Sequence, residues 1–139
     1  MKFKVIGALS LSLIVSFMLS CDNEQSIEFK RYYSEGAIVY QTRCQNCHGA
    51  DGDGLSALIP PLNDSLYLKN NKASLACYIN SGLKGAITVD KRQFDGAMPA
   101  NNLAPMEVAQ VITYINNSFG NKLGMTTVDQ AEADLGKCK

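Results

Sequence analysis

Cys44, Cys47 and His48 stand within five consecutive positions, Cys44-Gln45-Asn46-Cys47-His48, and His48 is the only histidine in the chain. Two thiols three residues apart on one helical turn can both reach the same bound group. Three chemistries use such a pair. A redox dithiol of the thioredoxin kind needs a strand-helix-strand frame around it, whereas Gly49, Gly52, Gly54, Pro60 and Pro61 mark residues 49 to 63 as loop. A structural zinc site needs a fourth ligand, which here would have to be recruited from distant Cys77 or Cys138 without a second close-spaced pair. Covalent haem attachment needs only what is present. Each thiol forms a thioether to one vinyl group of one haem, and the histidine that follows is aimed at the iron.

Iron held by one histidine in an electron-transfer site takes its second axial ligand most often from a methionine thioether. Met98, Met106 and Met125 are the methionines outside the N-terminal segment. Met98 lies in Asp95-Gly96-Ala97-Met98-Pro99, a turn-rich run free to fold over the far face of a ring, and is the expected ligand. Met106 opens a helix and is expected to pack, and Met125 lies in a late loop. Asp51-Gly52-Asp53-Gly54 has the alternating acids of a calcium loop, but its twelfth position is Leu62 rather than a glutamate, so it is read as a turn.

The elements that position these residues follow from periodicity and punctuation. Ser34 and Glu35 ahead of Ala37, Ile38, Val39 and Tyr40 predict a helix leading into Cys44. A short helix is expected over 71–81 with Gly82 as its stop, and a small hairpin is expected from 87–89 and 92–94 around Asp90 and Lys91. Pro105 starts the longest helix, in which Val108, Val111, Ile112 and Ile115 form an apolar stripe that Gly120 ends. Thr127 and Gln130 make a capping-box pattern for a last short helix ending near Gly136.

Residues 1–20 read as a signal peptide: Lys2 and Lys4 precede an uncharged run from Val5 to Leu19. Met18-Leu19-Ser20-Cys21 resembles the lipobox of bacterial lipoproteins, so Cys21 is the expected lipid anchor, followed by a polar tether over 21–33. Removing the signal leaves 119 residues, with eleven basic against thirteen acidic side chains. That length suits one domain, and that balance gives no support to nucleic-acid binding. Of the five cysteines, Cys77 and Cys138 remain without an assigned task and can pair in an oxidising compartment.

Taken together, residues 34–120 resemble the class I monohaem c-type cytochromes. Gly36-Ala37-Ile38-Val39-Tyr40 is similar to the family's first helix, whose glycine lets the last helix cross closely, and Val111 and Tyr114 are similar to the residues that meet it. Pro60, twelve residues beyond His48, matches the proline whose carbonyl accepts the imidazole N–H. Leu62 matches a residue packed on the ring, and Gly96-Ala97-Met98-Pro99 matches the ligand loop. The chain departs from the commonest members in its 121–139 extension and in Cys77 and Cys138, and in this it resembles a bacterial lipoprotein subgroup. The resemblance implies an all-α cytochrome c fold of three to five helices around one covalent haem c, with a possible small β-hairpin before the methionine loop and the extension packed on the domain. It implies a non-enzymatic electron carrier, exported to the periplasm and held at the membrane through lipid. Its partners would be redox proteins such as a terminal oxidase, a reductase or a dehydrogenase. A haem sensor or a peroxidase-like enzyme with an open distal site is the alternative, and it requires Met98 not to bind.

Overall fold

The computed structural model describes residues 23–138, so the signal peptide and the lipid site expected at Cys21 lie outside the described residues. The chain divides into two compact units, one ending at Lys30 and one running from Arg31 to Lys139. All that follows concerns the second. Its helices are α1 (Asn23–Arg43) from Arg31 onward, α2 (Gln45–His48), α3 (Ser65–Asn70), α4 (Leu75–Ser81), α5 (Pro105–Asn116) and α6 (Val128–Leu135), with a 3-10 turn at Lys72–Ser74. The strands β1 (Ile87–Val89) and β2 (Arg92–Phe94) pair antiparallel, Ile87 opposite Phe94. The fold is thus all-α with one hairpin. Six helices are seen among the described residues rather than three to five, because α2 and α3 are single short turns.

Within the span 21–33 expected as a polar tether, the described residues are helical from Asn23. Tyr32 is 3% exposed in the core. The Tyr33 hydroxyl is hydrogen-bonded to Ser118 Oγ at 3.0 Å. Tyr32, Gly36, Val39 and Tyr40 recur at helical spacing, so the apolar stripe read from Ser34 onward already starts among the charges before it.

α1 crosses α5 at Gly36. A Cβ there would overlap the Gln110 carbonyl and lie 2.9 Å from Tyr114 Cβ, so only glycine permits the approach. An aromatic group fills the surrounding space: Tyr114 lies 5.2 Å from both Tyr33 and Tyr40 between ring centroids, and Phe119 stands edge-on to it.

α5 supplies the centre of the core. Pro105 occupies its first turn, the Ala104 N–H donates to the Glu107 carboxylate at 2.8 Å, and Val108, Val111, Ile112 and Ile115 are buried. The helix ends at Asn116, before Gly120. There Asn117 turns its amide onto the Thr113 carbonyl at 2.7 Å, an acceptor a continuing helix would have used, and onto the Gly124 carbonyl of the following loop at 2.9 Å.

The tail is bound along its length. Thr113 Oγ1 donates to the Thr126 carbonyl and accepts from the Thr126 N–H, and Asn121 Nδ2 donates to the Leu62 and Ile115 carbonyls. α6 starts on Thr127, whose hydroxyl accepts from the Gln130 N–H, and buries Ala131 completely. A disulfide joins Cys138 to Cys77 on α4, their Cα atoms 5.4 Å apart.

Candidate cofactor crevice

α1 delivers the chain into Cys44, and α2 carries Cys47 and His48 as one further turn. The Cys44 carbonyl accepts the N–H of both Cys47 and His48, at 3.1 and 3.0 Å. Tyr40, 1% exposed, donates its hydroxyl to the Gly49 carbonyl at 2.6 Å and fixes the exit from that turn. Burial raises the Tyr40 phenol above its ordinary range, so it stays a donor. The loop then folds back: Gly54 N–H donates to the His48 carbonyl, and Leu62 N–H to the Gly52 carbonyl. Gly54 holds φ +69, and a Cβ on it would meet the Ile59 and Pro60 carbonyls.

This return brings Pro60 to the histidine. His48 Nδ1 lies 3.1 Å from the Pro60 carbonyl, which can only accept, so Nδ1 carries the proton and Nε2 keeps its lone pair. Burial lowers the imidazole's pKa, with the Pro60 hydrogen bond opposing, so the neutral, metal-binding form is favoured.

The histidine looks into a crevice of two adjoining spaces. One is lined by Cys44, His48, Leu62, Leu68, Ile79, Ile112 and Met98 among others. The second is lined by Cys47, Leu58, Phe94 and Gly96–Pro99. His48, Pro60, Leu83, Ile87 and Met98 line both. Cys44, Cys47, His48, Pro60, Leu62 and Met98 are therefore gathered around one apolar space.

Other residues lie elsewhere. Met106 is 39% exposed at the start of α5, and Met125 packs on the core outside both spaces. The sequence reading did not find Leu83, Ile87, Val89, Tyr67 and Tyr78 as crevice walls. The hairpin was visible as a hairpin, but nothing local said which face it would close.

The donor set selects the occupant. Burial, and then Cys47, push the Cys44 thiol up to about 11, the reverse of the low pKa an exchange-active dithiol needs. Zinc would have to draw on Cys77 and Cys138, which are bonded to each other. One imidazole with a free nitrogen, one thioether and two thiols around an apolar slot fit a flat apolar macrocycle carrying a metal. Haem meets that description.

Comparison with known proteins points the same way. The sequence model of the cytochrome c family matches residues 33–119. Cytochrome c-552 of Thermus thermophilus is 28% identical over an alignment of 93 positions, covering 63% of this chain and 70% of its own length. The cytochrome c subunit of alcohol dehydrogenase (quinone) from Gluconobacter oxydans (strain 621H) is 31% identical over 90 positions, covering 62% of this chain and 18% of its own. The corresponding subunit from Gluconacetobacter polyoxogenes is 28% identical over 102 positions, covering 63% and 19%. The chain spans about a fifth of the length of these dehydrogenase subunits.

Proposed function

We propose that this chain, which belongs to the cytochrome c family and carries covalently bound haem c, is a membrane-anchored periplasmic electron carrier passing single electrons to or from a dehydrogenase. The observation that supports the site is that one apolar crevice presents both thiols, the imidazole and the Met98 thioether.

Bound haem supplies the ferric/ferrous couple. Cys44 and Cys47 would hold it by thioethers, so that it stays with the chain in both oxidation states. His48 would hold the iron through Nε2, its ring fixed by Nδ1–H on the Pro60 carbonyl. Met98 would supply the second protein ligand, and its soft thioether would favour the reduced state. Leu62, Leu68, Ile79, Leu83 and Ile112 keep water away, so little solvent has to reorganise when the charge changes.

The relatives that are cytochrome subunits of an alcohol dehydrogenase support a dehydrogenase as one redox partner, with an oxidase or reductase on the other side. The basic, apolar, small-residue pattern ending at Cys21 supports export and lipid anchoring. Replacing Cys21 by alanine should yield unprocessed precursor or soluble protein, and unchanged membrane retention with normal processing would dismiss the anchor. Voltammetry of the purified protein should give one reversible single-electron wave and no catalytic current with peroxide. A peroxide-driven current from the intact protein would favour the open-site enzyme instead.

A further inference from the structure

Met98 lies in a loop, yet its backbone is held as if in a sheet. Its N–H donates to the Leu83 carbonyl at 2.8 Å, and its carbonyl accepts the Leu83 N–H at 3.0 Å. Pro99 favours this, because a residue before proline is pushed towards extended backbone. Leu83 directly follows Gly82, the residue that ends α4 with φ +82. A Cβ on Gly82 would stand 2.5 Å from the Met98 carbonyl oxygen and 3.0 Å from the Ala100 nitrogen. Beyond Pro99 the loop is tied to the same helix end. Asn101 donates its N–H and its Nδ2 to the Ile79 carbonyl at 3.3 and 3.1 Å, and Asn102 N–H donates to the Asn80 carbonyl at 3.3 Å. The carbonyls that a helix leaves open at its C-terminus are spent on this loop.

We infer that Gly82 and Leu83, at the end of α4, are positioning residues that hold Met98 in the crevice as an axial ligand against displacement by other ligands. The inference rests on the ligand reading of Met98 given above. A thioether is a neutral, modest ligand, so its occupancy depends on how little freedom the backbone that carries it retains. A paired backbone on one flank and hydrogen bonds to Ile79 and Asn80 on the other leave the Met98 backbone little room to move. Gly82 makes this possible by letting Met98 approach without a side chain between them.

The test uses the haem-loaded protein and exogenous imidazole, which competes for the methionine position. Gly82→Ala should diminish the near-infrared charge-transfer band of the ferric protein, lower the potential and raise imidazole affinity by about tenfold. Gly85→Ala is the control. Gly85 has φ +97 in the same connection but nothing within 4 Å of its Cβ position, so it carries the backbone strain without the collision and should keep band and affinity. Asn101→Ala, which removes one side-chain hydrogen bond and no backbone one, should raise imidazole affinity about threefold even if Gly82→Ala yields no holoprotein. Equal losses in Gly82→Ala and Gly85→Ala would overturn the inference, as would unchanged imidazole affinity in both Gly82→Ala and Asn101→Ala. Met98→Ala separates the two levels: if it leaves the band intact, the ligand assignment itself is wrong.

Discussion

Met98 and Met106 show at the scale of single residues why type alone does not assign a ligand. Both were available, but Met98 lines both halves of the crevice while Met106 is 39% exposed at the mouth of α5. Met98→Ala should therefore abolish the near-infrared band and lower the potential, and Met106→Ala should do neither. Loss of the band in Met106→Ala alone, measured on the ferric proteins, would reverse the assignment. The two thiols and the imidazole gathered at the crevice were legible because their spacing is local: five consecutive positions carry the whole signal. The Pro60 contact to His48 was legible only through resemblance, since it depends on how a loop of glycines closes. The pairing of Leu83 with Met98 left no mark, because it joins two loop residues fifteen positions apart through backbone atoms that any sequence provides.

Individual elements were legible to the extent that they carry their own punctuation. α5 and α6 have Pro105 and Thr127 at their starts, and the hairpin turns on Asp90 and Lys91, whose positive φ values of 47° and 60° suit a tight two-residue connection. α1 was read too short because charged residues obscured Tyr32, and α3 was missed because its six residues hold too little pattern. What defines α3 is its cap. Asp64 accepts from the Leu66 and Tyr67 N–H groups, and its second oxygen accepts from Asp90 N–H in the hairpin turn, all at 3.0 Å. Those donors, Tyr67 first and then Asp90, hold the Asp64 carboxyl below the usual carboxylate range. Its contribution to stability is therefore full above the ordinary carboxylate pKa and is lost as pH falls through the depressed folded value. In acid titrations followed by circular dichroism, Asp64→Asn should lose less stability than the parent over that window; parallel acid limbs would contradict the linkage. Gly36 gives the second prediction at this scale. Alanine would ordinarily favour a helix by about 1 kcal/mol, but here its Cβ meets the Gln110 carbonyl, so Gly36→Ala should lower stability by about 1–3 kcal/mol. A rise in melting temperature would show that α1 and α5 can separate at no cost.

At the scale of the domain, the irregular connections are organised around the crevice, and the tail over 121–138 belongs to the structure. The tail is tied to α5 through Thr113 and Asn117, to the Pro60 loop through Asn121 and Leu62, and to α4 through Cys77 and Cys138. Closing 61 positions of chain by that bond is worth roughly 4 kcal/mol in the chain-entropy model. Reduction, or a Cys138→Ser variant, should destabilise the protein by up to about that amount. Hydrogen exchange should rise first in 121–138 while the haem stays attached, and uniform loosening of α1 and α5 instead would mean that the tail is no separate layer. The central claim is that Cys44, Cys47 and His48 anchor haem in this crevice. The most direct measurement is mass spectrometry of a proteolytic digest after acid-acetone extraction. It should show one haem on the single peptide that contains Cys44 and Cys47, and colour that extracts completely, leaving that peptide at its bare mass, would contradict it.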